Sequence, residues 1–188
     1  MERTDDQLIT EYRQGDETAF KELIERYIHP IYAFTFRLTG REAEANDIAQ
    51  ETFVKVWKKL PVYKLSGTFK SWIFAIARNT AIDYLRKKKS AVFSDFENES
   101  GKNSLTETLS DPDTIPAELI RKAEEKELLG GGLETLSVDD REILSLHYDQ
   151  EMTFEEIGAI VKKPLNTVKS RHRRALAKLR TYFEHKDT

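Results

Sequence analysis

The sequence predicts an all-α protein in which two small helical domains are joined by an acidic flexible linker. Apolar residues recur every three or four positions over most of the chain, which is the spacing of one helix face. No segment convincingly alternates polar and apolar residues at the period of two that is typical of strands. Between residues 93 and 127, Ser, Asn, Asp and Glu replace most large apolar residues, a composition that cannot build a core. We therefore expect domains at residues 1–92 and 128–188.

The composition limits the class of protein. The chain has 188 residues, of which 39% are hydrophobic and 34% charged. Two cores of this size would each be marginal, because small domains bury a smaller share of their surface. The absence of cysteine excludes disulfides, thiolate catalysis and cysteine-ligated zinc. The first residues lack an apolar signal segment and no run is long enough to cross a membrane, so we expect a cytoplasmic protein without membrane insertion.

The net charge of −3 conceals an uneven distribution of charge along the chain. Residues 1–94 hold 16 Lys or Arg against 13 Asp or Glu, whereas residues 95–127 hold 4 against 10. Residues 128–188 hold 10 of each, but the stretch from Lys162 to Arg180 contains no acidic residue. Such asymmetry indicates a charged partner where the overall charge does not. Solvated helix faces are the alternative explanation, and they account poorly for a basic stretch this free of acids.

Two helices are predicted at the start of the first domain. Thr4 and Gln7 have the spacing of a capping box, and Asp16 is the N-cap candidate for the second helix. Apolar residues at helical spacing continue the second helix to residue 38. Pro30 should kink it, because proline has no N–H to donate to the preceding turn. Gly40 is placed to end it.

A third helix is predicted from residue 41 to residue 60, where Pro61 follows. Its apolar stripe is spaced by threes and fours and includes Trp57. Asp47, Gln50 and Glu51 share the polar side of this helix. Either solvation or the docking of another protein explains that polar face.

Aromatic and basic residues are interleaved in the loop and helix that follow, from residue 61 to residue 72. Exposed bases stack on aromatic rings and a basic groove follows the backbone of a single strand, so this segment is a candidate single-strand site. Phe69 and Trp72 lie on the apolar face of a helix from residue 69 to about residue 89, where core packing explains them better. Tyr63 and Lys64, in the loop, are better candidates for contact. The helix also offers a polar face of Arg78, Asn79, Asp83 and Arg86, in which Asp83 either makes a contact or only positions a neighbouring arginine.

The strongest local pattern is a pair of helices near the C-terminus. Thr153 and Glu156 form a capping box for the first helix. Residues 162–165 break it, and Asn166 or Thr167 is expected to cap a second, basic helix from residue 168 to about residue 183. A short capped helix, a tight turn and a longer basic helix make a helix-turn-helix, whose second helix enters the major groove of DNA. An ordinary helical hairpin with a charged outer face is the alternative.

Three segments together resemble the ECF (extracytoplasmic-function) sigma factors, the subunits that direct bacterial RNA polymerase to promoters, often in a stress response. The segments are residues 47–53, residues 69–89 and residues 167–175. Their order along the chain, with an acidic linker between them, is more specific than any one of them. The resemblance covers nearly the whole chain.

The resemblance implies a role for each surface. Asp47, Gln50 and Glu51 would dock on the clamp helices of the polymerase β′ subunit, while the C-terminal domain would sit on the β flap. The single strand of the −10 promoter element would be held by Tyr63, Lys64, Ser66, Thr68, Lys70, Trp72, Arg78, Asn79, Asp83 and Arg86. The −35 element would be read by Asn166, Thr167, Lys169, Ser170, Arg171, Arg173 and Arg174. The acidic linker would thread towards the active-site cleft of the polymerase, and an anti-sigma factor would silence the protein by covering both domains.

Two features depart from the family's pattern. Asn166 stands where members often have glycine, and asparagine both tolerates the left-handed conformation and caps helices, so we expect the turn to survive. Residues 130–132 are three consecutive glycines inside the first expected helix of the C-terminal domain. Each interior glycine costs about 1 kcal/mol relative to alanine, so either the helix breaks there or the triplet is an engineered substitution.

Two other function classes compete with this interpretation. A helix-turn-helix transcription regulator that binds duplex DNA without polymerase would leave the aromatic loop and the acidic linker unexplained. An enzyme would need a nucleophile with its base, a phosphate-binding loop or metal-ligand spacing, and the sequence shows none of these. The four histidines are scattered, and we expect neither a cofactor nor a metal.

Overall fold

The computed structural model describes residues 3–64, 67–94 and 128–186. The first domain contains α1 (Asp5–Arg13), α2 (Glu17–Thr39), α3 (Glu42–Lys59), a 3₁₀ turn (Leu60–Val62) and α4 (Phe69–Ser94). The second contains α5 (128–134), α6 (Val138–Leu144) with a π-helical turn (Ser145–Asp149), α7 (Phe154–Val161) and α8 (Leu165–Glu184). These ranges contain no strand, and the all-α prediction is confirmed.

The helix boundaries of the first domain follow from local capping. The Thr4 hydroxyl accepts from the Gln7 N–H at 3.3 Å, and the Gln7 side chain accepts from the Thr4 N–H at 2.8 Å, so the predicted capping box is present. Asp16 caps α2 by accepting from the Thr18 N–H. Gly40 ends α2 in the left-handed conformation, with φ of 70°. Pro30 lies inside α2, which continues through it to Thr39.

Helix α4 is longer than the sequence predicts. It extends to Ser94, about five residues beyond the expected end at Lys89 and two residues into the segment assigned to the linker. Residues 90–94 are Ser, Ala, Val, Phe and Ser, which include neither glycine nor proline, so no helix breaker stops α4 at Lys89. The rest of the predicted linker, residues 95–127, lies outside the described residues.

The glycine triplet does not break α5, which is helical from residue 128 to residue 134. A Cβ on Gly132 would lie 3.2 Å from the side chain of Leu179 and 3.3 Å from that of Phe183, and a Cβ on Gly131 would lie 2.3 Å from the hydroxyl of Tyr182. All three neighbours belong to α8. The missing side chains therefore let α5 approach α8 closely, which offsets the poor helix propensity of glycine.

The two domains pack against each other. A core of buried apolar residues from α1 to α4 continues into the second domain through residues such as Ile143, Leu146 and Ile157. A smaller cluster of Leu136, Leu144, Ala175 and Leu179 joins α6 to α8. Helices α2 and α4 of the first domain contact α6 and α7 of the second. None of the described helices has the length and apolarity needed to span a bilayer.

Candidate nucleic-acid interface

The C-terminal helix pair has the geometry of a helix-turn-helix. The Thr153 hydroxyl accepts from the Glu156 N–H at 3.2 Å, and the Glu156 carboxylate accepts from the Thr153 N–H at 2.9 Å, so the predicted capping box starts α7. Lys162 ends α7 in the left-handed conformation, with φ of 54°. A Cβ on Gly158 would lie 3.0 Å from the Lys163 carbonyl, so the chain reverses closely over this glycine. No local sequence pattern identifies Gly158, since its role depends on the turn that follows.

Helix α8 starts three residues earlier than predicted. Pro164 is its N-cap, and no side chain caps it. The prediction that Asn166 or Thr167 caps this helix is wrong, because both residues lie in its first turn. The N–H groups of Thr167 and Val168 donate to the Pro164 carbonyl at 2.9 and 3.1 Å. The left-handed residue of the turn is Lys162, so the turn does not need the conformational tolerance of asparagine.

The first turns of α8 present polar and basic side chains to solvent. Arg171 differs from its neighbours, because its guanidinium donates to the carboxylate of Asp139 on α6 and is about one quarter exposed. Val168, on the opposite face, is fully buried. The exposed members are Asn166, Lys169, Ser170, Arg173 and Arg174, and Thr167 is half-buried.

An aromatic cluster packs α8 against the neighbouring elements of its domain. The ring of His147 stacks on Phe154 with centroids 4.5 Å apart, and the ring of His172 meets the edge of His147 at 5.1 Å. The Nε2 atom of His172 lies 3.1 Å from the Tyr148 hydroxyl oxygen. Burial and the nearby His147 lower the pKa of His172. The cluster fixes α8, the expected recognition helix, on α7 and on the π-helical turn after α6.

The aromatic loop of the first domain is packed inwards. Tyr63 is 7% exposed and its ring lies 4.6 Å from that of Trp72 and 5.8 Å from that of Phe69. The guanidinium of Arg13 donates to the carbonyls of Leu60 and Tyr63, which holds the turn in place. This differs from the expectation that Tyr63 is an exposed contact, because its ring completes the aromatic cluster. Burial also raises the pKa of Tyr63.

Other candidates for single-strand contact differ in whether they reach the C-terminal domain. Lys64, Thr68, Asn79 and Arg86 are exposed, and Asp83 accepts from Arg86 at 3.0 Å. Lys70 and Arg78 instead reach the C-terminal domain. The Lys70 ammonium donates to the Gln150 carbonyl at 2.6 Å, and Arg78 donates to Glu142 at 2.5 Å. Ser66 lies outside the described residues.

The polar face of α3 is open to solvent. Asp47, Gln50 and Glu51 are all exposed, and Glu51 pairs with Lys55 one turn later at 2.8 Å. Trp57, which the sequence places in the core stripe, is 54% exposed, and Val54 is 49% exposed. Apolar periodicity locates the buried stripe of a helix but does not give its width. The prediction that Trp57 belongs to the core stripe is therefore wrong. We call these five residues, Asp47, Gln50, Glu51, Val54 and Trp57, the α3 face.

Comparison with known proteins assigns both domains. The Sigma-70 region 2 family matches residues 23–91, and the Sigma-70 region 4 family matches residues 132–181. The chain is 30% identical over 174 residues to the ECF RNA polymerase sigma factor SigW of Bacillus subtilis, covering 92% of each chain. The chain belongs to the ECF RNA polymerase sigma factors. This sigma factor is also 29% identical over 177 residues to the ECF RNA polymerase sigma-E factor of Escherichia coli K12, covering 92% of this chain and 90% of the relative.

Two solved structures share the fold of this sigma factor. One is the sigma factor RpoE in complex with the anti-sigma factor NepR from Bartonella quintana, with a TM-score of 0.71, 24% identity and coverage of 88% of this chain and 96% of that chain. The other is CnrH in complex with the cytosolic domain of CnrY, with a TM-score of 0.67, 22% identity and coverage of 97% and 99%. The prediction of two helical domains of the sigma factor type is confirmed.

Proposed function

We propose that this sigma factor binds core RNA polymerase in the cytoplasm and directs it to promoters through two DNA-binding surfaces, acting as a binding subunit and not as an enzyme. The observation that carries this proposal is the presence of both Sigma-70 regions in one chain, with exposed basic residues on the second helix of the helix-turn-helix. A duplex-binding regulator would need only the second of these regions.

The −35 element is assigned to α8. Lys169 and Ser170 lie in the second turn, where the lysine ammonium and the serine hydroxyl can donate to phosphate. Arg173 and Arg174 are exposed one turn further, and arginine can donate to a guanine base through two hydrogen bonds. Asn166 and Thr167, in the first turn, complete this surface. Arg171 contributes by orienting the helix through Asp139, or by exchanging that partner for DNA.

The −10 strand is assigned to the loop before α4 and to the polar face of α4. Lys64, Thr68, Asn79 and Arg86 are accessible there, and Trp72 is partly buried at the edge of the aromatic cluster. An unstacked base needs an aromatic surface to offset the loss of stacking, which costs a few kcal/mol. Because Tyr63 is buried, we assign it to supporting Trp72 and not to stacking directly.

We assign polymerase binding to the α3 face. The exposed charges of Asp47 and Glu51 lie beside the exposed apolar side chains of Val54 and Trp57, and apolar side chains with polar neighbours are typical of protein interfaces. We assign this face to the clamp helices of the β′ subunit. On the second domain, the partly exposed Leu129 and Leu176 line an apolar depression that suits the β flap.

Regulation by an anti-sigma factor is the remaining part of the proposal. One solved structure of similar fold is a complex of the sigma factor RpoE with the anti-sigma factor NepR. A partner that covers the α3 face would keep this face from the polymerase. It would silence this chain until a signal removes the partner.

A mobility-shift experiment with purified protein tests the proposal. We expect the protein alone to bind promoter duplex weakly, and to form a stable complex only with core polymerase. Trp57→Ala should reduce that complex, whereas Ile28→Ala, which removes an exposed apolar side chain from α2, should leave it unchanged. Tight binding to duplex DNA that core polymerase does not alter would instead support the duplex-binding regulator.

A further inference from the structure

Arg13, the last residue of α1, reaches the turn that follows α3. Its Nη2 atom donates to the Leu60 carbonyl at 3.0 Å and also to the Tyr63 carbonyl. Leu60 is the C-cap of α3, and Tyr63 is the C-cap of the 3₁₀ turn. One side chain of α1 therefore holds both ends of this turn.

The turn needs a donor from outside, because the last carbonyls of a helix have no partner within it. Leu60 is fully buried and Tyr63 is 7% exposed, and a buried carbonyl without a donor costs free energy. The Leu60 carbonyl also accepts from the Tyr63 N–H at 3.2 Å. A cation at this position is further favoured by the negative end of the α3 dipole. Arg13 thus caps α3 from a different helix.

The Tyr63 side chain adds no polar anchor of its own. Its hydroxyl is buried and makes no hydrogen bond within the part of the chain that the structure describes. The ring packs on Trp72 and Phe69, and apolar packing has little directional preference. A hydrogen bond does have a preferred direction. The direction in which the chain leaves Tyr63 therefore depends on Arg13.

Helix α1 is a firm support for this contact. Leu8 and Ile9 are fully buried against the rest of the first domain. At the other end of the helix, the Asp5 carboxylate accepts from the Tyr27 hydroxyl on α2. Because α1 is fixed along its length, Arg13 extends from a fixed point and can set the position of the turn.

The far end of the following loop is fixed independently. Gly67 adopts the left-handed conformation, with φ of 89°. The Thr68 hydroxyl accepts from the Ser71 N–H at 3.2 Å, which caps α4. Between these two fixed ends the chain carries Lys64, which the proposed function assigns to the −10 strand. Arg13 controls the end of this loop that α4 does not.

We propose that Arg13 is a positioning residue for the −10 strand: by holding the Tyr63 carbonyl it sets the direction of the loop, and with it the preference for promoter bases. Arg13 acts through the loop and does not itself contact DNA. This inference rests on the proposed function, which assigns the loop to the −10 strand. Arg13 lies outside residues 23–91, the range that matches Sigma-70 region 2. A determinant of base preference therefore lies in a helix beyond that match.

The base preference of the polymerase complex tests this role. Core polymerase carrying each variant is incubated with a pool of short single-stranded DNA of randomised sequence, and the bound DNA is sequenced. Arg13→Ala should reduce the enrichment of the preferred bases by about three- to tenfold, because loop conformations that do not read the bases become populated. Affinity for core polymerase should not change, because the α3 face lies on a different surface of the domain.

Two further variants separate positioning from charge and from folding. Arg13→Lys keeps the charge and a donor on a shorter side chain, so it should lose a smaller part of the enrichment. Lys21→Ala removes one cation from an exposed position on α2 and should leave the enrichment unchanged. A substitution that only unfolds the domain lowers the amount of DNA bound but not the base preference of the bound fraction.

The inference is overturned if Arg13→Ala leaves the enrichment unchanged, or if Lys21→Ala lowers it equally. If Arg13→Ala does not bind polymerase, unchanged enrichment with Arg13→Lys overturns it instead. The proposed function fails by a different result. An absence of base enrichment with the unsubstituted protein overturns the assignment of the −10 strand itself, and this inference with it.

Discussion

Glu142 is the residue whose chemistry links the two domains most directly. It is almost fully buried, and the loss of water raises its pKa to about 7, although Arg78 and Arg171 favour its charged form and Asp139 adds to the rise. Replacing one partner of such a buried pair costs more than the pair itself contributes, because it leaves the other charge without a counterion. Glu142 therefore makes the packing of the two domains specific, and it adds little to the free energy of their contact.

The pH dependence of domain closure follows from this raised pKa. When the domains separate, water reaches Glu142 and its pKa returns towards the ordinary value of 4.5. The closed form then holds more protons than the open form between these two values, so closure weakens as pH rises from about 4.5 to about 7 and levels off above. Energy transfer between dyes attached through Lys21→Cys and Ala177→Cys, exposed positions in the two domains, should decline over that range.

Glu142→Gln is the control for this prediction, because it removes the titrating carboxyl and leaves the other ionisable groups of both domains in place. The variant should lose most of the pH dependence of energy transfer. A transfer that increases with pH, or a dependence that Glu142→Gln leaves unchanged, would contradict the role of Glu142.

Two arginines of the recognition helix should respond differently to substitution. Arg174→Ala removes an exposed side chain and should weaken −35 recognition by about 1–3 kcal/mol if it donates to a base through two hydrogen bonds, with no loss of stability. Arg171→Ala also leaves Asp139 without its partner, so it should lower the free energy of unfolding as well. Binding of polymerase complexes to promoter duplexes, together with urea unfolding, separates the two effects. Equal loss of stability in both variants would contradict this division.

At the scale of the helix, local rules predicted most boundaries. The capping boxes at Thr4 and Thr153 and the left-handed Gly40 were found from sequence, because each depends on residues within one turn. The start of α8 was missed because Pro164 supplies a cap without a side-chain hydrogen bond, which leaves no pattern to recognise. The exposure of Trp57 was missed because the width of a buried stripe depends on the neighbouring helices.

Thr153→Ala tests the cap of α7. Loss of the hydrogen bond from the Glu156 N–H should lower the free energy of unfolding by about 1 kcal/mol. Thr181→Ala, an exposed position inside α8 whose hydroxyl donates only to its own helix, is the matched control and should change stability little. An equal effect of the two substitutions in urea unfolding would show that the cap contributes nothing.

Replacing Gly130 or Gly132 of α5 with alanine should change the melting temperature differently, although the two residues lie in one short helix. Alanine improves helix propensity by about 1 kcal/mol at each position. A Cβ on Gly130 would meet nothing within 4 Å, so Gly130→Ala should raise the melting temperature. Gly132→Ala forces Leu179 and Phe183 apart and should lose that benefit or lower the melting temperature. The same increase for both variants would refute close packing of α5 on α8.

At the scale of the whole molecule, the sequence predicted two helical domains and their type but not how they pack. The apolar residues of α7 could pack equally well in a core of their own domain or against the surface of α4. The sequence pattern alone therefore does not predict the shared core. The same limit applies to the site, where Lys70 and Arg78 were identified as basic candidates while their partners on the other domain were not. The −35 surface was easier to predict, because α7 and α8 are consecutive in the chain.

Promoter-specific transcription is the most direct test of this account. Core RNA polymerase is incubated with fragmented genomic DNA, with and without the protein, and the 5′ ends of run-off transcripts are sequenced. We expect the protein to create new start sites preceded by shared −35 and −10 elements at a constant spacing, and Arg174→Ala to weaken their use. Transcripts with the same start sites in both reactions would contradict the central claim that this chain directs polymerase to promoters.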